Sequence, residues 1–109
     1  MTYATIPECI ADLAATWDPA DLPGVDAKLQ YALREPLADG VTGIKVTFTN
    51  GVAVAEAGFH AEPDGTIGYR AIDFVSLMNN ALKVRARAGQ SITMTGNWRL
   101  LKLLWDKQK

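Results

Sequence analysis

Two patterns of apolar residues follow one another along this chain. The first is helical, since Thr5 and Glu8 are spaced as a capping box and apolar residues recur at helical spacing as far as Trp17. The Asp-Pro step at Pro19 disfavours helical geometry and ends the pattern. The sequence therefore predicts an N-terminal helix over about residues 5–17.

The second pattern is the alternation typical of strands, and it begins after a loop rich in proline and glycine. Residues 27–35 place Leu29, Tyr31 and Leu33 on one face. This predicts a first strand, although the same residues also satisfy a helix. Residues 43–49 alternate strictly between apolar and polar side chains and predict a second strand.

A hairpin joins the second predicted strand to the third. Asn50 and Gly51 both tolerate positive φ, which is typical of a two-residue turn between antiparallel strands. The return strand, residues 52–58, is apolar on both faces, and alanines occupy one of them. Such small residues would let a helix or a ligand approach the sheet closely.

The second half of the chain predicts a strand, a helix, a basic linker and another strand. Residues 66–71 alternate as a strand and lead directly into a helix. The apolar face of that helix holds Phe74, Val75, Met78, Ala81 and Leu82. The linker 83–88 satisfies either a strand or a short helix, and residues 91–95 predict a fifth strand with Ile92 and Met94 facing inward.

The last predicted helix, residues 98–105, carries more apolar surface than one sheet can cover. At about 100° per residue, its two tryptophans and four leucines span an arc of roughly 220°. A helix that packs on one sheet needs an apolar stripe of about 100° or a little more. The remaining surface is expected to contact a second body, and a lipid, a partner subunit and a membrane surface are the open alternatives.

Composition and charge favour one small domain. The 109 residues are 49% apolar and 21% charged, which is an ordinary globular balance. The single cysteine excludes an internal disulfide, and the first residues lack the basic and apolar regions of a signal peptide. We therefore expect a cytoplasmic location.

Charge is distributed unevenly along the chain. The net charge of −1 combines −7 over residues 1–82 with +6 over residues 83–109. A basic end on an acidic body suggests a face that meets anions, such as lipid headgroups, while a solvated basic helix face remains the alternative.

Candidate chemistry is sparse. One histidine and one cysteine cannot build a zinc site in a chain of this length, and no Ser-His-Asp or Cys-His arrangement has local support. His60 is interpreted as an ordinary loop histidine. We therefore predict no catalytic residues, no metal and no cofactor.

The order of these elements resembles the sterol-carrier-protein-2 family. The resemblance runs from about Leu29 to Leu104 and rests on the hairpin Asn50-Gly51, the stretch from Asp64 to Asp73-Phe74, Gly89, and Gly96-Asn97 before the apolar helix. It implies an α+β fold in a single domain, residues 1–109. A five-stranded, mostly antiparallel sheet would be covered on one face by helices, with an apolar tunnel between them over about residues 27–105.

The resemblance also implies a function. Members of that family bind fatty acids, fatty acyl-CoA, sterols, phospholipids or isoprenoids, and they generally catalyse nothing. It implies non-catalytic binding and transfer or presentation of a lipid by a set of apolar residues. These are Phe48, Phe74, Met78, Val84, Ile92, Met94, Leu100, Leu101, Leu104 and Trp105. The residues assigned to an anionic headgroup or surface are Arg85, Arg87, Arg99 and Lys102.

One segment departs from the family pattern, and other partners stay open. Residues 80–88 lack the proline and aromatics usual there and contain two arginines, which favours a ligand with an anionic group. The expected partners are a lipid or acyl-CoA-like molecule and, transiently, an anionic membrane surface, with no nucleic acid. The alternatives are a homodimeric interaction module and an accessory subunit that presents a lipid intermediate to a partner enzyme.

Overall fold

The computed structural model describes residues 2–80 and 92–108. Within these residues the chain forms three α-helices and five strands. In chain order they are α1 (Ile6–Leu13), β1 (Ala27–Arg34), β2 (Gly43–Thr49), β3 (Val52–Ala57), β4 (Gly65–Arg70), α2 (Ala71–Asn80), β5 (Thr93–Gly96) and α3 (Trp98–Lys107).

The strands form one mixed sheet in the order β3-β2-β1-β4-β5. The central pair, β1 and β4, is parallel, and the three other pairs are antiparallel. The predicted α+β class and the five-stranded, mostly antiparallel sheet are therefore confirmed.

The residues that the sequence left open between strand and helix form a strand, β1. Burial in β1 alternates, with Leu29, Tyr31 and Leu33 buried on the face that we call the inner face. Tyr31 lies opposite Ile44 of β2 and Ile67 of β4, so the three side chains share that face. Pairing with strands on both sides favours the extended conformation, and the helical alternative is wrong.

The hairpin turn has the backbone that its sequence predicts. The φ angles are 50° at Asn50 and 82° at Gly51, as a primed turn requires. The N–H of Gly51 donates to the carbonyl of Val25 over 2.8 Å. A Cβ at Gly51 would lie 2.3 Å from the carbonyl oxygen of Leu22, so the turn also needs glycine for close packing.

The N-terminal helix starts as predicted. The Glu8 N–H donates to the Thr5 hydroxyl over 3.3 Å, and the Glu8 carboxylate accepts from the Thr5 N–H over 3.0 Å. These two bonds form the predicted capping box.

The C-terminal end of that helix differs from the prediction. The prediction of a helix to Trp17 was wrong, because α1 ends at Leu13 and a 3-10 turn, Ala14–Thr16, follows it. Trp17 is extended and forms an isolated antiparallel bridge with Gln108. The conformation of Trp17 therefore depends on a contact with the far end of the chain and does not follow from the helical spacing of the apolar residues before it.

Other predicted elements have slightly different bounds in the structure, or lie partly outside the described residues. The predicted strand 91–95 is observed as Thr93–Gly96, because Gly96 pairs with Gly65 on β4. Residue 91 and the linker 83–88 lie outside the described residues, as do Ala81 and Leu82, which were predicted for the face of α2. The predicted helix 98–105 extends to Lys107.

The helices cover the inner face of the sheet. In the described part of the chain, α1 packs on β3, α2 on β1 and β4, and α3 on β4 and β5. Ala53 and Ala55 of β3 lie opposite Phe48 and Val46 on this inner face. The sequence left open whether a helix or a ligand approaches these alanines. In the structure a helix, α1, packs on β3.

The loop between β3 and β4 crosses the other face of the sheet, which we call the outer face. The Phe59 ring lies over Gly43, where an added Cβ would come within 2.4 Å of it. The His60 N–H donates to the Gln30 side chain over 3.0 Å, and His60 Nε2 lies 3.2 Å from the carbonyl oxygen of Val46.

Cys9, a residue of α1, is fully buried in the core. Burial raises the pKa of its thiol to about 11, and the nearby carboxylates of Glu8, Asp39 and Asp12 act in the same direction. The folded protein therefore keeps this proton at pH values where an unfolded thiol has lost it.

This pKa predicts a loss of stability in alkali. The free energy of unfolding should fall as pH rises from about 9, the ordinary thiol value, to about 11 in the folded state. The loss attributable to Cys9 is about 2–3 kcal/mol, measurable by urea denaturation at a series of pH values. Cys9→Ala should remove this part of the slope, and an identical slope in both proteins would contradict the assignment.

The packing of α3 on the sheet depends on Gly65. A Cβ at this position would lie 2.5 Å from Cδ2 of Leu101 and 2.7 Å from its Cγ. Leu101 is only 1% exposed, so its side chain has little room to move away.

We expect Gly65→Ala to lower the free energy of unfolding by about 1–3 kcal/mol, because it overpacks this contact. In a Leu101→Ala background the same change should cost much less, since the clashing atoms are gone. A double-mutant cycle by urea denaturation measures this coupling. Additive effects of the two changes would show that α3 does not press on Gly65.

Candidate functional site

The N-terminus of α3 is fixed to the start of β4. Gly96 has a φ of 104°, and a Cβ there would lie 2.5 Å from the carbonyl oxygen of Asp64. The Asn97 N–H donates to that same carbonyl over 2.8 Å. The Asn97 side chain then accepts from the Leu100 N–H over 3.2 Å and caps the helix.

The C-terminus of α3 is fixed to the end of the first helical segment. The Leu104 carbonyl accepts both the indole N–H of Trp17, over 2.8 Å, and the N–H of Gln108, over 3.1 Å. The Gln108 amide donates to the Thr16 hydroxyl over 3.0 Å. Both ends of α3 are therefore tied to the body of the domain.

An aromatic cluster lies beneath the helices at the centre of the sheet. The ring of Tyr31 lies 5.9 Å from that of Tyr69 and 5.1 Å from that of Phe74, and Tyr69 and Phe74 are 5.7 Å apart. Burial raises the pKa of Tyr31 and of Tyr69 well above the ordinary tyrosine value. The two phenols therefore stay protonated further into the alkaline range than an exposed tyrosine, and with Phe74 they provide a largely apolar floor.

Sequence reasoning missed this cluster. Tyr31 was grouped with Leu29 and Leu33 on one face of β1, but its ring neighbours come from β4 and α2. Only the parallel pairing of β1 with β4, which the alternating pattern does not specify, brings the three rings together.

A further set of apolar side chains, from elements that are neighbours in the fold, is half-buried. They come from the end of α2, from β5 with the residue before it, and from α3, and all pack against the buried core. They are Leu77, Met78, Ile92, Met94, Leu100, Leu103 and Trp105. We call this set the apolar wall. Its members from α2 and β5 stand on either side of segment 81–91 in the chain.

The structure divides the predicted ligand-binding set into two groups. Phe74, Leu101 and Leu104 are buried at about 1% exposure in the core, and Phe48 is buried at 2% on β2. Met78, Ile92, Met94, Leu100 and Trp105 belong to the apolar wall. Val84 lies outside the described residues.

Phe48 and β5 lie on opposite sides of the central strand of the sheet. Its ring packs edge-on against Trp17 at 5.1 Å. Three strand spacings separate β2 from β5, or about 14 Å. Phe48 is therefore far from the part of the apolar wall that β5 contributes.

Of the four basic residues predicted to contact an anionic group, the structure describes two. Arg99 and Lys102 are exposed on α3, and Lys102 Nζ lies 2.7 Å from a carboxylate oxygen of Asp106. Arg85 and Arg87 lie outside the described residues. The structure therefore locates half of this set, on the solvent side of the helix that contributes to the wall.

A groove of about 390 Å³ lies beside the hairpin. Its lining residues are Asp26, Ala27, Lys28, Thr47, Phe48, Thr49 and Asp64. Asp26 and Asp64 each accept a backbone N–H, from Asn50 and Lys28 respectively, over 2.8 Å. Charged groups line this groove, so it suits an apolar chain poorly.

Two ion pairs lie on the strands and at the start of α2. Arg70 contacts Asp73 over 2.9 Å, and Lys45 contacts Glu56 over 3.7 Å. Within residues 2–80 and 92–108, no group of three or more histidine, cysteine or carboxylate side chains is placed to hold a metal ion. In the same ranges, no helix is long and apolar enough to cross a bilayer.

Comparison with known proteins gives matches among solved structures. No protein-family model and no curated protein sequence matches this chain. The sec-alkyl sulfatase PisA1, known from Pseudomonas sp., aligns in a double-mutant form with a TM-score of 0.70 and 19% identity over 94% of this chain. The alignment spans only 16% of the length of that enzyme.

Two proteins of similar size align over nearly their whole length. The palmitated SCP2L2 of Aedes aegypti has a TM-score of 0.66 and 23% identity, over 97% of this chain and 93% of its own. The ubiquinone synthesis protein UbiJ-SCP2 has a TM-score of 0.54 and 10% identity, over 95% and 91% of the two chains. The chain therefore has the sterol-carrier-protein-2 fold, which confirms at the level of the fold the resemblance found in its sequence.

Proposed function

We propose that this protein binds a lipid with a long apolar chain against the apolar wall and transfers or presents it without altering it chemically. The half-burial of seven large apolar side chains from α2, α3 and the β5 segment is the observation that carries this proposal. Apolar surface left partly open in a small domain is a feature of ligand and partner sites.

The chemistry of the wall supports a lipid of variable shape. Met78 and Met94 are flexible and polarisable, and such side chains adapt to ligands of different outline. Behind them the neutral tyrosines and Phe74 provide an apolar floor. We propose fatty acid, fatty acyl-CoA, sterol or isoprenoid as the class of ligand.

Similarity to solved structures also supports this proposal. One of them is a palmitated protein that shares this fold over nearly its whole length. In the sec-alkyl sulfatase, a similar unit is a small part of a larger chain. Presentation of a lipid to a partner enzyme is therefore proposed beside transfer, with the enzyme supplying the chemistry.

Uptake of lipid can be tested on the purified protein. We expect native mass spectrometry and solvent extraction to reveal a bound amphiphile, or a delipidated sample to bind a fluorescent fatty acid that palmitate displaces. A clean apo mass together with no uptake of the fluorescent fatty acid would contradict the proposal.

Filling the wall should block this uptake. We expect Met94→Trp to weaken binding of the fluorescent fatty acid by about tenfold or more, because the larger ring occupies space beside Ile67 where the chain would lie. The matched control is Val54→Trp, at a valine that is 58% exposed on the outer face. Equal affinities in the two variants, with both still folded by circular dichroism, would place the ligand elsewhere.

The basic linker is proposed to select an anionic headgroup. A partly desolvated, charge-assisted contact contributes roughly 1.5–3 kcal/mol, compared with at most about 1 kcal/mol for an exposed pair. We therefore expect a fatty acid to bind about tenfold more tightly than the matching alcohol, with a smaller difference at high salt.

Replacing Arg85 and Arg87 together by alanine should remove the preference for the acid and leave binding of the alcohol nearly unchanged. Lys28→Gln, on β1, is the control for loss of a positive charge elsewhere on the chain. Equal binding of acid and alcohol by the wild-type protein would show that the linker does not contact the headgroup.

A further inference from the structure

The side of α3 that faces solvent combines an exposed tryptophan with positive charge. Trp98 is 63% exposed, more than any other large apolar residue in the described part of the chain. Arg99, Lys102 and Lys107 are exposed on the same helix, and Asp106 is its one acid. The ten residues of α3 therefore carry a net charge of +2.

The helical geometry gathers these groups along one side of α3. At about 100° per residue, Trp98 and Trp105 lie roughly 20° apart around the axis. Lys102 and then Arg99 follow within an arc of roughly 120°. Leu101 and Leu104, which are buried against the sheet, lie outside that arc. Asp106 also falls within this arc and pairs with Lys102 over 2.7 Å, so the charged groups of the arc sum to +1. We call Trp98, Arg99, Lys102 and Trp105 the docking face.

The other helices have the opposite charge. The ionisable side chains of α1 are Glu8, Asp12 and the neutral Cys9, and α2 carries Asp73 as its single charged residue. Within the described residues, α3 is thus the one helix on which a negatively charged partner meets net attraction.

We propose that α3 docks this protein on the surface of an anionic lipid bilayer. Trp98 and Trp105 would lie at the level of the lipid headgroups, where an amphipathic indole is favoured. Arg99 and Lys102 would contact lipid phosphates. This inference extends the proposed lipid binding, since α3 also contributes Leu100 and Leu103 to the apolar wall.

The charge pattern favours a bilayer over a second copy of the chain. A symmetric dimer through this face would bring together two copies of a patch with net positive charge, which is unfavourable. A nucleic acid would attract the cations but would be repelled by the acidic remainder of the chain, which carries −7 over residues 1–82. A bilayer also provides a favourable place for both indole rings.

The test measures binding to vesicles by flotation and by tryptophan emission. Wild-type protein should bind vesicles of phosphatidylcholine with about one third phosphatidylglycerol, with emission shifted to shorter wavelength, and should bind pure phosphatidylcholine much more weakly. Trp98→Ala should weaken binding to the anionic vesicles by about tenfold and reduce the shift. Val54→Ala, also at an exposed apolar residue, is the control and should change neither.

Charge variants test the electrostatic part in both directions. Arg99→Gln should weaken binding to the anionic vesicles by about fivefold, and Asp106→Asn should strengthen it by about fivefold. Lys28→Gln, which removes a charge from the sheet, should have little effect. Raising the salt concentration should weaken binding of every variant.

Two results would contradict the proposal that α3 docks on an anionic bilayer. One is that wild-type protein fails to float with the anionic vesicles, and the other is that Trp98→Ala and Arg99→Gln bind them as tightly as wild type. Uptake of a fluorescent fatty acid without vesicles is measured in parallel and should be unchanged in Trp98→Ala. Intact uptake without vesicle binding would refute docking alone, whereas vesicle binding without uptake would refute the proposed lipid site alone.

Discussion

The fixed position of α3 against the sheet is the constraint on which the candidate site depends. Gly65 lets Leu101 approach the inner face of β4, and Gly96 turns the chain so that α3 can start beside that strand. At the other end the indole of Trp17 donates to the Leu104 carbonyl. Held at both ends, the helix presents one side to the core and the opposite side to solvent, and each side has its own chemistry.

This arrangement accounts for the wide apolar arc of the last helix. Leu101 and Leu104 fill the core, while Leu100, Leu103 and Trp105 remain half-buried in the apolar wall. Trp98 stays largely in solvent. One helix thus supplies core packing, part of a proposed lipid site and a proposed membrane contact, which a stripe of about 100° could not do.

The sequence predicts local structure well where the determining interactions are themselves local. The capping box at Thr5 and the primed turn at Asn50 form within a few residues, and both are observed. The prediction fails at Trp17, whose conformation depends on a bridge to Gln108 at the far end of the chain. The candidate site follows the same rule. Of the residues predicted from α3, Leu100 and Trp105 belong to the wall, whereas Leu101 and Leu104 fill the core, and this division depends on how the helix packs. Phe48 was included without knowledge of the strand order.

The central claim, that a lipid chain lies against the apolar wall, is tested most directly by methyl nuclear magnetic resonance with labelled methionine and valine. Titration with palmitate should shift and broaden the methyl signals of Met78 and Met94, which are half-buried in the wall. The signals of Val54, exposed on the outer face, should stay in place. Unchanged methionine signals at saturating palmitate, or equal shifts at Val54, would contradict the account.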